Sequence, residues 1–285
     1  IARIRSFGGE WVGTDFDHDC DLLYFRVDLL DQAGLPVAQS WEELDEQAQE
    51  LNELLGGGVA LPQTHAQQAV DHFASMAASV VLPESDLTRF WFDPETMDPT
   101  IGSEPHIRSL ERWRALARTT PEPARSGSTG DLWEALLAGS AGYLIASADF
   151  LPYAVARGLS SAIAVSTLPG STGNDGTIRR AVNVTGSSWG GVVLRPANDR
   201  ASSEVRGFFE MLAEPETQEE LVADPSAGIT PLPHGSNRFD EIAAEGWPAK
   251  STSDWLTAIQ DTLENPIQLA PLRIAETRRY LQALE

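Results

Sequence analysis

One segment near the start of the chain constrains the fold more than any other. The apolar run from Leu22 to Phe25 predicts a buried strand, and the stretch from Val27 to Gly34 predicts a short helix that ends at a glycine. A second helix is predicted to begin after Ser40, because Ser40 and Glu43 have the spacing of a capping box. Apolar residues then repeat on one face of that helix, at Trp41, Leu44, Ala48 and Leu51.

The alternation of short apolar strands and amphipathic helices continues along the chain. A helix is predicted from about Glu104, with Ser103 as its N-cap, and another from Thr129 to Gly139. Strands are predicted at Tyr143 to Ser147 and at Ile163 to Thr167. Two segments rich in Pro, Gly, Ser and Thr are predicted to be loops, residues 119–130 and 168–176. This alternation indicates an α/β protein with a helix-covered sheet.

Charge and composition exclude several classes of function. The 285 residues carry a formal net charge of −22, which disfavours nucleic acid and anionic membrane surfaces as partners because both would be repelled. Cys20 is the only cysteine, so the chain forms no intrachain disulfide and no zinc site with several thiolates. No apolar run is long enough to span a bilayer. Because the chain starts at Ile1 with neither a methionine nor a signal sequence, we expect a mature or trimmed product.

Aspartates occupy every second position from Asp15 to Asp21, just before the first predicted strand. The first three match the first, third and fifth positions of an EF-hand calcium loop. Later positions do not fit, because Cys20 stands where that loop needs glycine and Arg26 where it needs glutamate. We therefore expect a solvated loop with one or two carboxylates turned into a cleft, and no bound metal. Three histidines also lack metal-ligand spacing and are expected at the surface or in helix caps: His65, His72 and His106.

The segment from Leu22 to Leu51 resembles the place where extracellular solute-binding proteins of bacterial ABC importers, of the carbohydrate type, cross between their two lobes. Ser40 stands where that family usually has threonine. The residues at matching places are Tyr24, Asp28, Leu29, Ala33, Gly34, Leu35, Trp41, Glu42 and Leu44. Later segments follow the family order as well, namely WFDPETM, LWEALLAGSAGYLIAS, IAVSTLPGS, GSSWGGVVLRP and GFFEMLAEPETQEELVADPSAGITPLP.

The resemblance implies a two-lobe α/β fold, periplasmic-binding-protein-like and of type II. Residues 20–189 and 234–285 would form a nearly complete second lobe, and residues 1–19 and 190–233 a remnant of the first lobe. The strands and helices with which family members usually begin have no counterpart here, so the first lobe is expected to be partial. Crossings between the lobes are expected near residues 17–21, 187–191 and 228–233.

The same resemblance implies binding without catalysis. The chain is expected to hold a small extracellular solute, a sugar or oligosaccharide, in a cleft between the lobes and to deliver it to the permease subunits of an ABC importer. Closure of the lobes would remove water from the ligand. The resemblance also implies a periplasmic or extracellular monomer that is lipid-anchored before trimming, with no cofactor, no metal and no nucleic-acid partner.

Ligand-binding residues are expected where rings and polar groups meet at the lobe crossings, because sugars offer C–H faces to rings and hydroxyls to hydrogen-bonding groups. The resemblance places Asp17 and His18 at the first crossing, and Asp149 and Phe150 after the strand that ends at Ser147. Many sugar binders carry a tryptophan where this chain has Asp149. The other candidates are Gln63, Thr64 and His65 after an earlier strand, Ser187, Ser188 and Trp189 at the second crossing, and Trp255 in the C-terminal region.

Two other classes of function stay open at this stage. As an enzyme, the chain shows the hydrolase motif GxSxG around Ser188, with Asp224 and His234 downstream, but the residues after Gly190 predict a strand where that motif needs a helix. A glycosidase needs two carboxylates that flank one bond, and 42 acidic residues offer too many pairs to choose among. A truncated chain with half of its cleft missing would instead be an interaction module without a transport role.

Overall fold

The computed structural model describes residues 6–7, 10–11, 14–15, 17, 19–63, 66–81, 90–93, 95–158, 162–183, 190–191, 199–212, 214–230 and 247–269. The helices are α1 (Val27–Ala33), α2 (Trp41–Leu55), α3 (Ala66–Val81), α4 (Glu104–Arg118), α5 (Glu122–Arg125), α6 (Thr129–Leu137), α7 (Phe150–Ala156), α8 (Asp199–Leu212), α9 (Pro215–Ala223) and α10 (Ala249–Leu263). The strands are β1 (Ser6–Phe7), β2 (Glu10–Trp11), β3 (Thr14–Asp15), β4 (Asp21–Arg26), β5 (Val59–Ala60), β6 (Tyr143–Ser147), β7 (Ile163–Thr167), β8 (Ser171–Thr172), β9 (Ile178–Arg179), β10 (Val182–Asn183), β11 (Gly190–Gly191) and β12 (Gln268–Leu269).

Within these residues the largest sheet has four strands, in the order β5-β6-β4-β7. Strand β4 is antiparallel to both β6 and β7, while β5 is parallel to β6. Strand β4 therefore begins at the edge of the sheet where β5, β6 and β7 end. We call this edge the Asp21 end, after the first residue of β4, and the opposite edge the Arg26 end, after its last residue.

The strand and two helices at the start of the chain form as their sequence predicts. Strand β4 is buried up to its last residue, and α1 ends at Gly34, whose φ of 71° is left-handed and costs a glycine little. Helix α2 begins with the predicted capping box: the Glu43 N–H donates to the Ser40 hydroxyl, and the Ser40 N–H donates to the Glu43 carboxylate. Local signals therefore set the end of α1 and the start of α2.

Two predictions of irregular structure are wrong in part. Residues 119–130 contain α5, in which Pro123 lies in the first turn and removes no hydrogen bond that the helix needs. They also contain the start of α6, which has a capping box formed by Ser128 and Asp131. Residues 168–176 contain β8, which pairs with β9 in a hairpin. Helix α4 begins at Glu104 as predicted, but the Ser103 hydroxyl lies 3.0 Å from His106 Nδ1 and caps no backbone N–H.

Side chains alternate between the two faces of β4, so each face has its own hydrophobic core. Leu22 and Tyr24 pack with residues of α6, α7 and α10 on one face. Leu23 and Phe25 pack with residues of α2, α3 and α4 on the other face. Trp41 is fully buried in this second core, which confirms its predicted structural role. Among the helices described, none combines the length and the apolar character that crossing a membrane requires.

Candidate functional site

Polar residues collect at the Asp21 end of the four-stranded sheet. Gln63 follows β5, Ser147 is the last residue of β6, and Thr167 is the last residue of β7. The strand register sets Asp21 opposite Ser147 and Leu22 opposite Thr167. The carboxyl ends of three strands thus meet here, and that is the edge at which open α/β sheets bind ligands. The Asp21 end is therefore the candidate functional site.

Buried carboxylates attach the segment before β4 to this edge. Asp17, which is 3% exposed, accepts a hydrogen bond of 2.9 Å from the Thr230 N–H. Asp19, which is 4% exposed, accepts one of 2.7 Å from the Ala148 N–H and one of 2.8 Å from the Cys20 N–H. Three parts of the chain that are far apart in sequence are thereby joined.

The carboxylates at this edge also repel one another. Burial raises the pKa of Asp19 well above its usual value, and the negative charges of Asp149 and Asp17 raise it further. Burial likewise raises the pKa of the half-buried Asp149, while the hydrogen bond that its carboxylate accepts from the Ser147 hydroxyl opposes this rise. An anionic ligand would add to the repulsion, whereas a neutral ligand that donates hydrogen bonds would relieve it.

His72 pairs with Asp21 at the start of β4. Its Nε2 lies 3.0 Å from Asp21 Oδ1, and both side chains are more than nine-tenths buried. The prediction of a surface or capping position is therefore wrong for His72, because α3 turns this residue toward the sheet. His106 is also buried and contacts Ser103 at the start of α4. His65 lies outside the described residues.

A tryptophan of α6 lies beside the predicted ligand residues. The Trp133 ring is half-buried and packs against Phe150 and Tyr153, with centroid distances of 5.6 Å and 4.9 Å. A ring of this kind can pack against the C–H face of a ligand while its N–H bonds to a polar group. Trp133 also lines a cavity of about 10 Å³, together with the side chains of Gln68, His72, Thr129 and Ser147.

Three of the predicted ligand residues are described at this edge. Gln63 and Asp149 follow strands that end there, and Asp17 precedes the strand that begins there. Asp17 is buried and Asp149 half-buried, whereas Gln63 is exposed and donates its amide N–H to Ala117 O at 2.7 Å. The predicted ligand residues outside the described part of the chain are His18, Thr64, His65, Ser187, Ser188 and Trp189.

Two other predicted residues, Phe150 and Trp255, have fully buried rings. Phe150 packs edge-on against Tyr24, with a centroid distance of 4.7 Å. Trp255 Nε1 donates a hydrogen bond of 2.9 Å to Ala148 O, and the Tyr24 hydroxyl donates to the same carbonyl at 3.2 Å. In this conformation both rings lie in the core beneath the edge and hold the backbone before Asp149 in place. Their contact with a ligand stays a prediction.

The three segments predicted as lobe crossings are neighbours in the structure. Near the first and second segments, β3 pairs with β11 in an antiparallel manner, with Asp15 opposite Gly190. The first and third segments are joined by the hydrogen bond from the Thr230 N–H to Asp17. These contacts bring the three segments together, and their role as lobe crossings stays a prediction.

The metal and hydrolase hypotheses can be followed only through the residues that are described. Among them, no group of three or more His, Cys, Asp or Glu side chains is arranged to hold a metal ion. Asp224, the acid of the hydrolase hypothesis, accepts hydrogen bonds of 2.8 Å and 2.7 Å from the N–H and hydroxyl of Ser226. Ser188 and His234 lie outside the described ranges.

Trp133 and His72 lie at this edge, although the sequence predicted neither of them as a site residue. A signal existed for His72, because it shares one helical face with the apolar residues Ala69, Phe73 and Met76. Trp133 had no such signal, since nothing local indicates that α6 returns to the sheet edge at which β6 ends.

Comparisons with known proteins identify the family and the fold of the chain. The sequence model of the family described as bacterial extracellular solute-binding protein matches residues 10–219. No curated protein sequence matches the chain significantly.

Solved structures give further matches. A solute-binding protein from Thermotoga lettingae TMO, bound to alpha-D-tagatose, is 13% identical over 99% of this chain and 69% of its own, with a TM-score of 0.73. One from Agrobacterium radiobacter K84, in complex with ribitol, is 16% identical over 99% and 71%, with a TM-score of 0.69. A chitin oligosaccharide binding protein is 14% identical over 89% and 60%, with a TM-score of 0.68.

These solved structures show the fold, and the predicted α/β fold of the type II periplasmic-binding-protein kind is confirmed. The chain spans between 60% and 71% of the length of the three proteins. The family match, by contrast, covers more than half of the chain and rests on sequence. The chain therefore belongs to the family of bacterial extracellular solute-binding proteins.

Proposed function

We propose that the chain binds a sugar, polyol or oligosaccharide in a cleft between two lobes, without catalysis, and delivers it to the permease subunits of an ABC importer. The family is one of solute-binding proteins. Structural relatives are recorded in complex with alpha-D-tagatose and with ribitol, and another is named for binding chitin oligosaccharides. All three kinds of ligand are rich in hydroxyl groups.

The chemistry of the Asp21 end carries this proposal. Its buried and half-buried carboxylates, Asp17, Asp19 and Asp149, repel an anion and accept hydrogen bonds from hydroxyl groups. The half-buried Trp133 ring lies beside them and offers an apolar surface to C–H groups. A neutral polyhydroxy ligand is the class that uses both features.

Predicted ligand residues complete this proposed cleft. Asp17, Gln63 and Asp149 would accept hydrogen bonds from ligand hydroxyls. Many sugar binders carry a tryptophan at the position that Asp149 occupies here, and Trp133 would supply the ring instead. The resemblance adds His18, Thr64, His65, Phe150, Ser187, Ser188, Trp189 and Trp255 to the proposed contacts.

The division into lobes belongs to the same proposal. Residues 20–189 and 234–285 are assigned to the second lobe, and residues 1–19 and 190–233 to the first. Two observations support this division. All four strands of the large sheet come from residues 20–189. Helix α10 packs in the core of that sheet, and its Ser251 hydroxyl donates to Ile163 O at 3.0 Å.

Location and assembly are proposed from the family alone. The family is described as extracellular, which supports a place outside the cytoplasmic membrane. A lipid anchor and a monomeric state are the finer parts of this proposal, and size-exclusion chromatography with light scattering tests the second of them.

Isothermal titration of the full chain against maltose, ribitol, D-tagatose and chitin oligosaccharides tests the proposed function. We expect saturable binding of at least one of them with a micromolar dissociation constant, a free energy of about −8 kcal/mol. Sulfate and phosphate, as controls, should not bind because the acidic edge repels them. If no carbohydrate gave a binding signal, or if chromogenic glycosides were hydrolysed, the proposal would be contradicted.

A further inference from the structure

Among the residues that the structure describes, two buried nitrogen atoms at the Asp21 end lack a hydrogen-bond partner. They are Trp133 Nε1 and His72 Nδ1, and neither has a donor or acceptor within hydrogen-bonding distance in the described structure. Native proteins nearly always pair buried polar atoms, with protein groups or with ordered water, because an unpaired one is costly. Both nitrogens therefore point to a partner that the described part of the chain does not supply.

Both side chains line one small cavity. Its volume is about 10 Å³, and Gln68, Thr129 and Ser147 also contribute to its wall. A cavity of roughly 10–15 Å³ is the smallest that holds one water molecule, so this one has room for a single oxygen atom. The Gln68 side-chain oxygen accepts a hydrogen bond of 2.9 Å from the Thr129 hydroxyl, which leaves the Gln68 amide N–H as a further donor.

The two nitrogens differ in what they require. A carboxylate only accepts hydrogen bonds, so His72 Nε2, which lies 3.0 Å from Asp21 Oδ1, carries the hydrogen. We assign the ring its neutral tautomer, in which His72 Nδ1 is an acceptor, whereas Trp133 Nε1–H is a donor only. A hydroxyl group accepts one hydrogen bond and donates another, and it is the smallest group that satisfies both. A carbonyl would leave His72 unpaired, and an ammonium would leave Trp133 unpaired.

We infer that this cavity is a binding site for one hydroxyl group, which accepts from Trp133 Nε1–H and donates to His72 Nδ1. The hydroxyl belongs to a water molecule or to a bound carbohydrate, and the second source rests on the proposed function. Asp21 is a positioning residue in either case, since its carboxylate selects the nitrogen of His72 that carries the hydrogen.

Solution NMR of the full chain with ¹⁵N-labelled tryptophan tests the site directly. Trp133→Phe identifies the Trp133 indole signal by its loss. In the free protein we expect a cross-peak between the Trp133 indole hydrogen and a bound water. Trp255 is the matched control, because its N–H already donates to Ala148 O at 2.9 Å, and it should show no such cross-peak.

Saturation with whichever of maltose, ribitol and D-tagatose binds separates the two sources. Loss of the water cross-peak, with a shift of the Trp133 indole signal, assigns the site to a ligand hydroxyl, and persistence assigns it to water. No water cross-peak in the free protein, together with an unmoved indole signal on saturation, would overturn the inference. If none of the three carbohydrates binds, the cross-peak of the free protein still decides the inference, so its failure is distinct from that of the proposed function.

A second measurement does not depend on Trp133→Phe folding well. Replacing Trp133 with β-(3-benzothienyl)alanine keeps the shape of the ring and removes only the N–H. We expect the melting temperature to fall by about as much as with the same replacement at Trp255, where a known hydrogen bond is lost. An unchanged or higher melting temperature at Trp133 would mean that the N–H has no partner, and would overturn the inference.

Discussion

The two ends of the four-stranded sheet share their strands but differ in how they treat polar groups. At the Arg26 end, the guanidinium of Arg26 donates to both Asp28 oxygens at 2.8 Å and 2.7 Å, and to the last carbonyls of α6 at 3.1 Å and 3.2 Å. At the Asp21 end, buried carboxylates repel one another, and His72 and Trp133 each keep a buried nitrogen without a partner in the described structure.

Under the proposed function, this difference separates an end that serves stability from one that binds the ligand. Arg26 makes four hydrogen bonds, and its positive charge also suits the negative end of the α6 dipole. The raised pKa of Asp19 and the unpaired nitrogens are costs that folding alone does not require. Proteins keep such local conflicts mainly at functional sites.

The largest effect is expected at Trp255, beneath the Asp21 end. Trp255→Ala should lower the free energy of unfolding by about 3–5 kcal/mol, because it leaves a cavity in the core. Urea denaturation measures this loss, and Trp255→Phe, which keeps most of the volume, should lose less. A variant that stays stable but no longer binds carbohydrate would instead assign Trp255 to the ligand site.

Arg26 tests the other end of the sheet. Arg26→Met should lower the free energy of unfolding by about 1–3 kcal/mol, since hydrogen bonds from a charged group to Asp28 and α6 are lost, and should leave carbohydrate affinity unchanged. Arg108→Met is the matched control, because Arg108 is 64% exposed and its ion pair with Glu104 is 3.7 Å long. A tenfold change in affinity on Arg26→Met would erase the distinction between the two ends.

Trp133→Ala should weaken binding of the tightest carbohydrate about tenfold, a loss of about 1.4 kcal/mol, because the ring contact disappears. Titration calorimetry measures this change. Leu54→Ala serves as the control, since Leu54 is an apolar residue in the last turn of α2 that is 62% exposed, and α2 leads into the start of β5, at the opposite end of the sheet. Equal affinities of Trp133→Ala and the parent chain would remove Trp133 from the site.

The smallest effect is a change in pH dependence, with opposite signs at the two ends. The folded chain holds the Asp19 proton at a higher pH than the unfolded chain, so the free energy of unfolding falls as pH rises from about 4 through the raised pKa of Asp19. Asp19→Asn should flatten this fall, and part of it should persist because the pKa of Asp149 is raised as well.

Asp28 provides the opposite case at the Arg26 end. The hydrogen bond from Arg26 lowers the pKa of Asp28, so its contribution to stability is present above about pH 4 and is lost as pH falls through the lowered value. Asp28→Asn should therefore remove a loss of stability that occurs as the pH falls. Asp19→Asn should instead remove a loss of stability that occurs as the pH rises. Urea denaturation at several pH values between about 3 and 7, on both sides of the ordinary carboxyl pKa of about 4, measures both effects. If both variants changed the slope of the free energy of unfolding against pH in the same direction, the contrast between the two ends of the sheet would be wrong.

Local rules predicted much of the fold and little of the site. The Ser40–Glu43 capping box and Gly34 depend on residues that are neighbours in sequence, and they appear in the structure as predicted. The pairing of His72 with Asp21 joins residues 51 positions apart. No periodicity or cap predicts such a contact, since it depends on how α3 packs against the rest of the fold.

By itself, the sequence determined most element types, the end of α1 and the start of α2, and the family, because these follow from spacing, capping chemistry and the order of motifs. Only the tertiary structure decided which strand ends share an edge, that Phe150 and Trp255 lie in the core, and that Trp133 and His72 meet at one cavity. The physical reason is that burial and hydrogen-bond satisfaction are properties of packed elements. Aspartates at the two ends of the sheet accordingly differ in pKa, since that of Asp19 is raised and that of Asp28 is lowered.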